Sequence, residues 1–114
     1  MKPLANIILQ IKGRDWNFIL YTDKAFNKLH NDDDSADDCA MTIVGTREVH
    51  FRKSDWSGVA IAHEIGHILH FASLVSSSEM SAHDTVELMC EIIGEHAEEI
   101  VLWKSRVVER FLTV

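Results

Sequence analysis

Residues 59–74 read Val-Ala-Ile-Ala-His-Glu-Ile-Gly-His-Ile-Leu-His-Phe-Ala-Ser-Leu. Ile61, Ile65, Ile68 and Leu69 surround the polar positions, as on a helix with one buried face. In such a helix, residues four apart lie one turn apart on the same face. His63 and His67 therefore point the same way, and their imidazoles can share one zinc ion through bonds of about 2.0–2.1 Å. Glu64 projects about 100° further round. Its carboxylate falls beside the ion, where it can take a proton from an activated water. A shuffled chain with seven His and nine Glu shows His-Glu-x-x-His only about three times in a hundred. Gly66 weakens the helix by about 1 kcal/mol against alanine and predicts another segment passing close by, as in a cleft.

The flanking sequence supplies a fold for this helix. Ser54 or Asp55 is expected to cap it. Upstream, Met41–Val44 and Glu48–Arg52 read as two strands joined around Gly45–Thr46. Trp16–Thr22 alternates as a strand. Asp23–His30 reads as a helical turn capped by Asp23. Residues 3–12 suggest a short helix ended by Gly13. Asn31–Asp38, NDDDSADD, lacks the spaced pattern of a calcium loop and reads as a solvated acidic segment. Downstream, Val75–His83 is a serine-rich connection. Asp84 or Thr85 then opens a helix reaching about Phe111. Strands first and long helices last make an α+β domain, with a small, mostly antiparallel sheet on the His63–His67 helix and a long C-terminal helix. One domain over 1–114 is expected.

A catalytic zinc keeps three protein ligands and one open position. Projecting Thr85–Val101 at 100° per residue puts Val86, Met89, Cys90, Ile93, Ala97 and Ile100 on an apolar face. Glu87 lies nearest one edge of that face and is the first candidate for the third ligand. Glu91 is second, followed by Glu95, His83 and His96. His96 falls within the apolar stripe and reads more readily as a hydrogen-bonded core residue. His70 is too far from His63 for all three histidines to hold one ion, and a supporting or cleft-lining place suits it. His30 and His50 read as surface or strand residues without chemistry.

The net charge of −7 argues against nucleic-acid binding, which needs clustered Lys and Arg. No run approaches a membrane span. The segment Leu4–Ile11, interrupted by Asn6 and Gln10, does not read as a signal peptide. A cytoplasmic location is therefore expected. Two cysteines, Cys39 and Cys90, make no disulfide framework, and Cys90 is expected to be a buried thiol. The late stripe Trp103, Val107, Val108 and Phe111 could pack in a dimer, with docking on the chain's own core the preferred reading, and the oligomeric state stays open.

The run Ala60–His70 resembles the active-site helix of the zincin metallopeptidases. A glutamate on a following helix is similar to the gluzincin branch, in a minimal form like the small bacterial and phage-encoded peptidases of the ImmA/IrrE group. The likeness covers 60–70 and, more loosely, 41–99. It implies His63 and His67 as zinc ligands, Glu64 as general base, Glu87 as third ligand, and Glu91 orienting a ligand histidine. It also implies a strand at the cleft edge that pairs with a peptide or protein substrate, here Glu48–Arg52. The acidic-Ala-Asn segment of the ImmA/IrrE pattern is missing. Peptide deformylases take a cysteine ligand from a motif that Cys39 lacks, and the metzincin extension would need histidine where Ser73 stands. The expected activity is zinc-dependent peptide-bond hydrolysis. Two rivals are a zincin-fold regulatory protein acting on a host protein or repressor with little proteolysis, and a purely structural zinc with four ligands. The oxyanion donor could be His70, His83, His96 or Tyr21.

Overall fold

The computed structural model describes residues 2–30, 40–72 and 81–114. Strand β1 (Ala5–Ile11) and strand β2 (Arg14–Tyr21) form an antiparallel hairpin in which Ile11 pairs with Arg14. Residues 3–12 are thus not the expected helix. Ala5, Leu9 and Ile11 are buried while Asn6, Ile8 and Gln10 are exposed, which is the two-residue period of a strand. The two residues between the strands, Lys12 and Gly13, both have positive φ, 53° and 77°. Two-residue hairpins need that conformation, because its twist matches the flanking strands. Gly13 serves this turn and not a helix end.

Helix α1 (Asp23–Leu29) follows β2 directly. Thr22, one residue before the expected cap, accepts from the Ala25 amide at 3.1 Å. Strands β3 (Ala40–Ile43) and β4 (Glu48–Arg52) are antiparallel, as the sequence predicts. β4 then lies parallel to β2, so the sheet order is β1-β2-β4-β3 and the sheet is mixed. The acidic segment 31–38 lies outside the described residues.

Helix α2 (Gly58–Ala72) begins later than Ser54 or Asp55 would place it. Ser57 caps it, its hydroxyl accepting from the Ala60 amide at 3.1 Å. Ser54 and Asp55 serve the preceding turn: the Ser54 amide donates to Asp23, and Asp55 pairs with Arg52. Helix α3 (Ala82–Phe111) is capped by Ser81, whose hydroxyl accepts from the Asp84 amide. No helix among the described residues is long and apolar enough to cross a membrane.

The sheet separates two apolar clusters. On one face Leu9, Trp16, Phe18, Leu20, Val49 and Phe51 pack with Ile61, Ile65, Ile68 and Leu69 of α2 and with Ile92, Val107 and Phe111 of α3. On the other, Ile19 and Tyr21 meet Ala25 and Phe26 of α1. Trp103 and Val108 also pack on the first cluster, so the C-terminal stripe docks on the chain's own core. The rest of α3 is turned from its expected orientation. It buries Ile92 and His96, while Val86 and Ile93 remain 59% and 52% exposed and Cys90 is an exposed free thiol.

Candidate active site

α2 lies with its Ile61-Ile65-Ile68-Leu69 face on the sheet core, which fixes the directions of the residues between. His63 and His67 stand on the exposed side. Their Nε2 atoms are 3.0 Å apart, with ring planes at 83°. With a proton between them this is an N–H···N hydrogen bond. Two zinc bonds at a tetrahedral angle would hold two such nitrogens about 3.3 Å apart.

Glu64, one helical step further round, is buried. Its Oε2 accepts a 2.5 Å hydrogen bond from the Thr42 hydroxyl on β3. Two adjoining recesses share Ala40, Glu64 and His67. One, of about 390 Å³, is lined further by Ser57, Val59, Ala60 and His63. The other, of about 400 Å³, runs under β3 and is lined by Trp16, Met41, Thr42, Val44, Ile68, His70 and Phe71. Together they form a groove between β3 and α2 with the motif at its centre. Its walls are mixed, with Thr42, Ser57, His63, Glu64, His67 and His70 set among apolar side chains.

β3, and not the expected Glu48–Arg52, is the strand beside this groove whose outer edge pairs with no other strand among the described residues. β4 pairs with β2 on one side and β3 on the other, so its backbone is already used. Gly66 also departs from expectation. A Cβ there would meet nothing within 4 Å, so no segment among the described residues presses on it.

The structure brings His63, Glu64 and His67 together and leaves the α3 carboxylates apart. Glu87 is exposed, its carboxylate 4.0 Å from His83 on its own helix. Glu91 is exposed as well, and no α3 residue lines either recess. Among the described residues no three His, Cys, Asp or Glu side chains are grouped to hold a metal. Two imidazole nitrogens are thus brought together, and no third protein donor is gathered with them among the described residues.

The oxyanion candidates also separate. Tyr21 lies on the α1 face of the sheet, away from the groove. Burial, and then the Glu48 carboxylate, hold its hydroxyl above the usual phenol range. His83 is on the exposed first turn of α3, and His96 Nδ1 bonds Glu99 at 2.9 Å. His70 alone lines the groove, and its buried Nε2 has no hydrogen-bond partner among the described residues.

A second polar cluster was missed because its members are scattered in sequence. On the α1 face, Glu48 Oε1 lies 3.0 Å from His50 Nε2, and His50 Nδ1 lies 3.0 Å from His30 Nε2. His50 is 5% exposed and sits edge-on to Tyr21. It is a buried strand histidine, not a surface one. The strand alternation of Glu48-Val49-His50-Phe51 could have signalled that Glu48 and His50 share a face.

No protein-family model, curated protein or solved structure matches this chain.

Proposed function

We propose that the chain is a zinc-dependent peptidase of minimal zincin type. One observation carries the reading: the two Nε2 atoms 3.0 Å apart on one helix face, with the Glu64 carboxylate one residue along and buried at the groove wall. His63 and His67 would hold the ion, and the third donor would come from α3, Glu87 or, behind it, Glu91. Zinc, when bound, supplies Lewis-acid activation of water and of the scissile carbonyl.

The chain's own residues do the remainder. Glu64 takes the proton of the attacking water on a carboxylate oxygen and passes it to the leaving amine. The outer edge of β3, which pairs with no strand among the described residues, is suited to pair with an extended peptide, since strand addition needs unpaired backbone groups. The walls under β3, Trp16, Val44, Ile68 and Phe71, suit an apolar side chain of that peptide. The substrate is a peptide or protein.

Glu64→Gln tests the reading. It keeps the shape and removes the base, so zinc should stay bound while cleavage of a mixed-sequence peptide library falls by at least about 10²-fold. Unchanged cleavage would remove Glu64 from the reaction. A second reading, a regulatory module that engages a partner protein without cutting it, is favoured by the absence of Glu87 and Glu91 from the recesses that hold the histidine pair. It predicts that Glu64→Gln leaves the cellular effect intact.

A further inference from the structure

We propose that Thr42 is a positioning residue whose hydroxyl fixes the Glu64 carboxylate and ties the base to the edge strand β3. This rests on the peptidase reading above. Thr42 pairs across the sheet with Val49, whose side chain is fully buried in the α2-facing cluster. That register turns Thr42 toward α2. Its Oγ1 meets Glu64 Oε2 at 2.5 Å. Hydroxyl donors lie at about 2.5–2.7 Å from carboxylates and bind them roughly twice as strongly as neutral acceptors.

Thr42 is the one side-chain donor to Glu64 among the described residues. A glutamate side chain is rich in rotamers, and holding it ready for proton transfer means restricting them before the substrate arrives. The bond takes Oε2 and leaves Oε1 to exchange the proton. β3 also borders the groove, through Ala40, Met41 and Thr42. A peptide laid along β3 is thus located by the same four-residue strand that locates the base.

Three variants and two readouts test this. The first readout is the thermal midpoint of chelator-treated protein, which needs neither metal nor substrate. Thr42→Val should lower the midpoint by about 5 °C in the wild-type background, because it strands a buried carboxylate. In a Glu64→Leu background the same substitution should shift it little. An equal shift in both backgrounds would show that the two side chains do not interact, and would overturn the proposal.

The second readout is cleavage of a mixed-sequence peptide library by zinc-loaded protein. Thr42→Val should lower kcat by about 10–100-fold with KM within about two-fold, since orientation and not binding is lost. Thr42→Ser, which keeps the donor, should restore most of kcat. Wild-type kcat in Thr42→Val would overturn the positioning role and leave the peptidase reading standing. Absence of cleavage by the wild type would overturn both.

Discussion

His63, Glu64 and His67 lie within five successive residues but end in different surroundings. The histidines are exposed and face each other, while the glutamate is buried against β3. The difference follows from the helical step of about 100° per residue: the face that buries Ile61, Ile65 and Ile68 carries Glu64 with it. Other single side chains carry comparable weight in the fold. Phe111 is fully buried, with its ring edge-on to Phe51 and Trp56 at 5.4 and 5.5 Å. Phe111→Ala should cost about 3–5 kcal/mol in chemical denaturation, and a loss below about 1 kcal/mol would mean that the C-terminal turn does not dock as described. Tyr21 gives a pH signature. Its hydroxyl titrates higher in the folded chain than in the unfolded chain, because burial and Glu48 disfavour the phenolate. The folded state therefore holds its proton more tightly, and stability falls as pH rises from the unfolded value near 10. Tyr21→Phe should remove that part of the alkaline loss in melts across pH 9–11, and an unchanged profile would show that Tyr21 does not contribute.

At the scale of elements, the sequence was most readable where one signal had no competitor. The pairing of Glu48–Arg52 with the strand before it, the β2 alternation and the motif helix all lie close to expectation. The helix starts were displaced toward the N-terminus or C-terminus by hydroxyl residues that competed for the cap: Thr22 for Asp23, Ser57 for Ser54 or Asp55, Ser81 for Asp84. Ser81→Ala should cost about 1 kcal/mol, read as a lower denaturant midpoint, whereas Asp84→Ala should leave the cap bond in place. Residues 3–12 read as a helix in sequence because Gly13 ends helices and makes hairpins equally well, and only the pairing partner decides between the two. Gly66 was read as a point of close approach and has open space instead. Gly66→Ala should therefore raise stability by about 1 kcal/mol, as alanine lowers backbone entropy in the unfolded chain and favours the helix. A destabilised Gly66→Ala would point to a neighbour at that position.

At the scale of the molecule, helices on both faces of a four-stranded mixed sheet place α2 beside the edge strand β3. The two first candidate ligands and the candidate base were legible in one short motif, because a helix converts spacing into direction. The placement of the α3 carboxylates was not legible, because it depends on how α3 is rotated about its own axis. α3 has apolar residues on more than one side, and packing buries Ile92 and His96 in place of Val86 and Ile93. The Thr42–Glu64 contact and the Glu48-His50-His30 chain were likewise invisible, since each joins residues that only the sheet register brings together. If α3 supplies the third ligand, Glu87→Gln or Glu91→Gln should weaken zinc binding by at least about 10-fold in competition with a chelator, and the substitution that does so identifies the donor. The most direct test of the central claim is zinc content per chain after dialysis against trace zinc, measured by elemental mass spectrometry on wild type, Glu64→Gln, His63→Ala and His67→Ala. The account predicts about one ion per chain in the first two and none in the histidine variants, as expected for loss of a ligand in a three-ligand site. A wild type without stoichiometric zinc, or a His67→Ala variant that retains it, would contradict the account.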